Sequence, residues 1–367
     1  MTTPGLPLKG AMVGLRIHAG SIHPDKGAGL LKSFLGQESV EVVAYCEWAA
    51  DQSAALAEIR QFAGAARIYT DLDDLIANEA LDFAAIMLPP NEATPTASRL
   101  AENGVHLFIE KQAARTAEEL KPLREIVHRN GLVTQVGYPW PYHPVAIELK
   151  RLIDAGVFGR LLDIEARLVT VAVRPGLRDP AHWMYRNETE GGGILHMEGG
   201  HWLTLFHFFS QAEVKSVTAL CGRVDGTIET GLEDVATVAL EFNNGVHACL
   251  HMGYLLPGVG ARNDTYFGLR GTLGTATWEP TGPAEFTVAS VAPGWESAPE
   301  RQFRMELTKR SVYADQWGFD FVSAFIQSIC QGTPSPISID DAYRIMQIID
   351  AAYESSRSGR RIELATS

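Results

Sequence analysis

The strongest constraint on the fold lies between residues 11 and 136, where short apolar runs alternate with helical patterns. Ala11–Ile17, Val40–Cys46, Ile68–Tyr69, Phe83–Leu88, Val105–Ile109 and Val133–Val136 read as strands. Gly29–Gly36, Gln52–Phe62, Leu72–Asn78, Thr94–Asn103 and Thr116–Asn130 read as the helices between them. Pro89-Pro90 stops one strand, and Gly104 and Gly131 close two helices. Strands apolar along their whole length are buried on both faces, which calls for a parallel sheet with helices on either side. The expected class is therefore α/β, with a doubly wound parallel sheet. In such sheets ligands bind beyond the carboxyl ends of the strands. Glu47, Pro89, Pro90, Asn91, Glu110, Lys111 and Gly137-Tyr138 fall at those ends.

A dinucleotide fingerprint needs Gly-x-Gly-x-x-Gly after the first strand. The segment Gly14-Leu15-Arg16-Ile17-His18-Ala19-Gly20 does not have that spacing. Glu47 is the better signal. A carboxylate at the end of the second strand accepts ribose hydroxyls and repels a 2′-phosphate. No arginine follows it, so NAD is favoured over NADP. Arg16 and His18 can supply charge to a pyrophosphate where the glycines are missing; a solvated acid and a surface arginine are the plain alternatives. Lys111 ends an apolar strand, where partial desolvation suits it to polarise a substrate oxygen. Glu110 holds it or touches the cofactor ribose; otherwise the two are a surface ion pair.

A second focus is residues 186–209. Gly191, Gly192 and Gly193 allow a sharp turn and a close approach of backbone to ligand. After them Leu195, Gly199, Trp202, Leu203, Phe206 and Phe209 give one apolar helix face. His201 lies in this run beside Gly199-Gly200, and such a histidine can act as acid or base near neutral pH. The plain alternative is a core histidine held by a backbone carbonyl. His196, Glu198 and His201 diverge around the helix, so no metal site is expected. Tyr138, Trp140, Tyr142 and His143 after a strand end, and Arg174, Arg178, His182 and Trp183 on a loop, are candidates for a wall against a flat, hydroxyl-rich ligand. Of these, Tyr138, Trp140, Arg178, His182 and Trp183, with Glu198, are taken as substrate residues. Aromatic clusters in loops also serve packing alone.

Further on, Leu161–Val173, Val214–Gly222, Val235–Phe242, Val246–Tyr254, Asp264–Arg270 and Gly274–Glu279 read as strands, with Asn243-Asn244-Gly245 as a hairpin turn. A chain of 367 residues suits two domains, 1–137 and 138–367, the last helix being a candidate to pack back on the first. The net charge of −13 argues against nucleic acid and anionic membrane as partners. The start of the chain has no signal-peptide pattern and no apolar run reaches the ~20 residues of a membrane span. Four dispersed cysteines without a CxxC pair read as buried thiols of a reducing compartment, so a cytoplasmic location is expected.

The order of features resembles the Gfo/Idh/MocA family of NAD(P)-dependent sugar and cyclitol oxidoreductases over most of the chain. The similar segments are Leu81–Asn91, Glu110-Lys111-Gln112, Val136-Gly137-Tyr138, Leu152–Gly159, Gly191–His201, Glu233-Asp234 and the closing Ala-Ala-Tyr-Glu-Ser-Ser-Arg-Ser-Gly-Arg-Arg-Ile. The resemblance implies a Rossmann-like dinucleotide-binding domain followed by a substrate domain on a large, mostly antiparallel sheet. That sheet is often used for dimerisation, so a homodimer or homotetramer is expected. It carries the catalytic lysine to Lys111 and the catalytic histidine to His201. The usual Asp four residues before the histidine is Met197 here, the Pro after Glu-Lys is Gln112, and the first glycine loop is altered. Glu198 cannot inherit the place of Met197, since neighbouring helix positions point ~100° apart. The implied activity is hydride transfer between NAD and a secondary hydroxyl of a sugar, glycoside or cyclitol. Two alternatives on the same fold are a redox-neutral glycosidase that recycles bound NAD through a 3-keto intermediate, and a non-catalytic nucleotide or sugar sensor.

Overall fold

The computed structural model describes residues 7–16, 18, 20, 29–49, 53–171, 182–224, 231–257 and 262–365. Its chain forms two compact units, Met1–Pro139 with Thr308–Tyr343, and Trp140–Leu307 with Arg344–Ser367.

The first unit contains β1 (Leu8–Val13), α1 (Leu30–Leu35), β2 (Val40–Cys46), α2 (Ser53–Phe62), β3 (Arg67–Tyr69), α3 (Leu72–Asn78), β4 (Phe83–Ile86), α4 (Pro90–Glu102), β5 (His106–Ile109), α5 (Ala117–Asn130) and β6 (Thr134–Val136). The strands form one sheet in the order β3-β2-β1-β4-β5-β6, and every pair is parallel. The strand order therefore reverses beside β1, where ligands of such sheets bind. The first strand sits three residues earlier than its apolar run implied and ends at Val13. Pro90 opens α4 as its first residue, where a missing N–H costs nothing, so the proline pair starts a helix as well as ending a strand. One face of the sheet is sealed by aromatic rings. Phe34 lies 5.6 Å from Phe83 and 5.3 Å from Phe108, and Phe83 and Phe108 meet Phe325 at 5.9 and 5.8 Å. Phe325 comes from a helix far along the chain, Asp315–Gln331.

The second unit holds α6 (Pro144–Asp154), β7 (Leu161–Val171), α7 (Ile194–Ser210), β8 (Val214–Gly222), β9 (Val235–Phe242), β10 (His247–Leu256), β11 (Asp264–Gly271), β12 (Gly274–Trp278), β13 (Glu285–Ser290) and β14 (Glu300–Arg304). The helix Asp315–Gln331 of the first unit is α8; α9 (Ile339–Ser358) and β15 (Ile362–Glu363) close the chain. The nine-stranded sheet runs β14-β13-β12-β11-β7-β10-β9-β8-β15. Only β7 and β10 are parallel among these pairs; the rest are antiparallel. Asn243–Gly245 turns β9 into β10, closed by the Gly245 amide on the Phe242 carbonyl and the Phe242 amide on the Val246 carbonyl.

Two expectations are corrected. The helix α7 has no single apolar face, because nearly all of it is buried; only Glu198, His207 and Phe208 are part-exposed. The cysteines are all free, but only Cys46 is buried, while Cys221 and Cys249 are half-buried and Cys330 is exposed. No helix among the described residues is long and apolar enough to cross a membrane.

Candidate functional site

Because the strands of the first unit are parallel, everything that follows a strand emerges at one edge. The loop after β1 is closed by its own backbone. The Gly14 amide bonds the Cys46 carbonyl at 2.8 Å, the Leu15 amide the Glu47 carboxylate at 2.8 Å, and the Arg16 amide the Met87 carbonyl at 3.2 Å. Gly14 has φ +74, and a Cβ there would lie 2.4 Å from Leu88, so no other residue fits the turn. Three amides that a glycine-rich loop would aim at a phosphate are thus taken by protein groups.

Glu47 is fully buried. One of its oxygens accepts the Leu15 amide and the other the Ala49 amide, each at 2.8 Å. Arg16 Nε lies 3.4 Å from the same carboxylate. The guanidinium then makes a two-pronged pair with Glu92 at 2.6 and 2.8 Å, and Trp48 Nε1 donates to Glu92 at 2.9 Å. These bonds, from Arg16 first, hold the Glu92 carboxyl below its ordinary range. Neither Trp48 nor Glu92 stood out in the sequence. Their adjacency to Glu47 and to Pro89–Asn91 was the available signal. Beside Trp48 opens a cleft of about 260 Å³, also lined by Thr70, Asp71, Leu72, Pro95, Thr96 and Arg99.

Pro89 and Pro90 are buried at the start of α4, and Asn91 follows half-buried. The buried Oδ1 of Asn91 accepts no hydrogen bond among the described residues. Glu110 is 1% and Lys111 5% exposed. The imidazole of His18 bonds Glu110 at 2.7 Å through Nδ1 and stacks on Tyr313 at 4.7 Å. A Cβ at Gly137 would stand 2.4 Å from the second Glu110 oxygen, so that glycine makes room for the carboxylate. The Lys111–Gln112 peptide is cis. Tyr138 lies wholly inside, its hydroxyl donating to Gln112 at 2.5 Å. The first unit thus gathers Arg16, His18, Glu47, Pro89, Pro90, Asn91, Glu110 and Lys111 at one edge. A buried unbonded amide oxygen, an aromatic-walled cleft and paired acids fit a dinucleotide.

In the second unit His201 is 6% exposed in the middle of α7. The glycines before that helix serve packing. A Cβ on Gly193 would fall 1.9 Å from the Glu233 carbonyl oxygen, and one on Gly192 would fall 2.3 Å from the Tyr353 hydroxyl. Glu233 accepts the amides of Gly193 and Leu195 at 2.8 and 3.0 Å and the hydroxyl of Tyr353 at 2.9 Å. It satisfies amides left open by the helix start, in place of a local cap. Met197 is buried at the position of the usual Asp. The adjacent His196 is fully buried, with Nδ1 2.9 Å from the buried carboxylate of Glu190. Neither Glu233 nor Glu190 carries a periodic signal in the sequence.

Trp140 stacks on His143 and Trp202 at 5.6 and 6.0 Å, and His143 and Trp278 are 5.0 Å apart. His182 and Trp183 form a separate short turn, with rings 5.3 Å apart. Glu198 is part-exposed on α7. Arg178, with Arg174, lies outside the described residues.

His143 gives a pH prediction. It is 4% exposed, and burial pushes it down to about 4. Its Nδ1 accepts the Val145 amide at 3.2 Å as the cap of α6, which requires the neutral ring. The unfolded chain takes up this proton below about pH 6.5. Stability present above that value is therefore lost as pH falls towards the folded value. His143→Asn keeps a capping acceptor and removes the titration. Its denaturant midpoint is expected to fall less between about pH 7 and pH 4.5 than that of the parent; equal falls refute the assignment.

Comparison with known proteins finds family matches for both parts of the chain. Residues 9–138 match the family described as "Oxidoreductase family, NAD-binding Rossmann fold", and residues 146–277 match "GFO/IDH/MocA C-terminal domain". D-xylose dehydrogenase of Paenarthrobacter nicotinovorans is 34% identical over 160 residues. That match covers 41% of this chain and spans only 39% of the relative's length. D-glucoside 3-dehydrogenase of Escherichia coli is 24% identical over 377 residues, 98% of both chains. Among solved structures, levoglucosan dehydrogenase in complex with NADH and L-sorbose shares the fold. Its TM-score is 0.81 at 18% identity, covering 99% of this chain and 100% of that one.

Proposed function

Because this chain belongs to the Gfo/Idh/MocA family of oxidoreductases, we propose that it transfers a hydride between NAD and a secondary hydroxyl of a sugar, glycoside or cyclitol. The observation that supports this most is the buried lysine, Lys111, beside Glu110 at the carboxyl edge of the parallel sheet. When bound, the nicotinamide supplies the hydride acceptor at its C4. Lys111 donates a hydrogen bond to the reacting hydroxyl oxygen and favours its alkoxide character. His201 takes the hydroxyl proton as the carbon gives up hydride, and returns it in the reverse direction.

Residues 1–137 are read as the dinucleotide domain. Glu47, with Arg16 beside it, serves the adenosine ribose, the cleft beside Trp48 the adenine, Pro89–Asn91 the middle of the cofactor, and His18 and Glu110 the second ribose. Residues 138–367 are read as the substrate and assembly domain, apart from Thr308–Tyr343, which fold with the first unit. Trp140, His182, Trp183, Glu198 and Arg178 are the candidate substrate residues there, with Tyr138 acting from inside the first unit. The nine-stranded sheet is the proposed surface for a homodimer or homotetramer, and the location is cytoplasmic.

The test is to denature the purified protein, identify any released nucleotide by mass, and titrate NAD and NADP before a polyol screen. Selective NAD binding with substrate-dependent formation of reduced nicotinamide supports a dehydrogenase. Sustained glycoside cleavage without added NAD would replace it with the redox-neutral glycosidase. Binding without any turnover would leave a sensor.

A further inference from the structure

Building on the NAD reading, we propose that Glu92 sets cofactor choice by engaging Arg16, so that the guanidinium is not offered to a 2′-phosphate. Sequence position gives no hint of this, since Arg16 and Glu92 are far apart in the chain and Glu92 lies on α4. The loop after β1 brings Arg16 to within 3.4 Å of Glu47, the carboxylate assigned to the adenosine ribose. An arginine there would ordinarily be the natural partner of a ribose phosphate, because its planar fork matches phosphate oxygens. Here both terminal nitrogens are committed to the two oxygens of Glu92, at 2.6 and 2.8 Å. Trp48 fixes the carboxylate through its indole N–H at 2.9 Å, and the guanidinium lies 5.6 Å from the centre of the Trp48 ring. The Arg16 side chain is 13% exposed in this arrangement.

Glu47, Glu92 and Arg16 together carry one net negative charge. A phosphomonoester of about two negative charges entering beside them meets repulsion from Glu47 and finds the arginine's fork turned to the Glu92 carboxylate. A ribose with a free 2′-hydroxyl meets neither obstacle. Glu92→Gln keeps the shape and an acceptor for Trp48. It removes one charge and with it the charged, two-pronged pair that Glu92 makes with Arg16. The guanidinium then favours a phosphate over the neutral amide.

The experiment is titration of NAD and NADP by calorimetry into the intact parent, Glu92→Gln and Glu92→Gln/Arg16→Ala. The parent is expected to bind NAD in preference to NADP. Glu92→Gln is expected to raise NADP affinity relative to NAD about tenfold, and adding Arg16→Ala returns the ratio to that of the parent. An unchanged ratio in Glu92→Gln overturns the proposal, and so does a gain that survives loss of Arg16. If Glu92→Gln does not fold, Glu92→Asp takes its place. It is one methylene too short for the two-pronged pair, and a gain of about threefold is expected; no gain overturns the proposal. Binding of neither nucleotide by the parent overturns the dinucleotide reading itself, and this inference with it.

Discussion

Replacing His201 by alanine is expected to lower kcat by about 10²–10⁴-fold, the range for loss of a positioned acid or base. The imidazole is 6% exposed within a helix buried nearly all round, so water does not readily take its place as proton acceptor. His201→Asn keeps hydrogen bonding without proton transfer and should stay within about tenfold of the alanine variant. Added imidazole should restore part of the alanine variant's rate and none of the parent's. Lys111→Met should act on the same step. It keeps the length of the side chain and removes the charge, with an expected loss of about 10²–10³-fold in kcat. NAD affinity separates the two. His201→Ala should leave it within about twofold, while Lys111→Met, next to Glu110, should weaken it. If both variants retained parental kcat with every polyol oxidised by the parent, the proposed chemistry would be wrong.

The second large effect is on folding. Gly193→Ala places a methyl group 1.9 Å from the Glu233 carbonyl oxygen and 2.7 Å from its carboxyl carbon. The first obstacle is backbone, which cannot swing aside. Relief means pulling Glu233 away from the amides of Gly193 and Leu195 and from Tyr353. A half-buried carboxylate, already pushed up by burial, would then lose the bonds that make it tolerable. A loss of about 3 kcal/mol or more is expected. Gly131→Ala is the control. That glycine has φ +63 with open space around its missing Cβ, so it bears only the conformational penalty of about 1–2 kcal/mol. Denaturant midpoints of the two variants decide the matter; a Gly193→Ala protein as stable as Gly131→Ala would remove the steric account.

These effects differ in how far the sequence announces them. The parallel sheet was legible because its inner strands β1, β4 and β5 are buried almost throughout and so read as unbroken apolar runs. β14, Glu300–Arg304, was not, because it is an edge strand with an exposed, polar pattern. The face assigned to α7 was misread for the opposite reason. A helix buried on all sides carries apolar residues at every spacing, so any one stripe can be picked out of it. Lys111 and Glu47 stood out because strand ends are special places in this architecture. Glu92, Trp48 and Glu190 did not, because their roles depend on partners distant in sequence, or on a contact that no periodicity encodes; Glu233 was marked only by the family resemblance, not by its contact with the start of α7.

The helix Asp315–Gln331 adds a point about synthesis. The apolar rings of Phe34, Phe83 and Phe108 emerge from the ribosome early, whereas the Phe321 and Phe325 rings that meet them come near the end. Between the two parts of the first unit, the whole run Trp140–Leu307 must be made. A nascent chain therefore carries an open aromatic surface for most of its translation, the kind of surface that chaperones retain. Completion of the nucleotide-binding unit is thus deferred until nearly the last stretch of the message has been read.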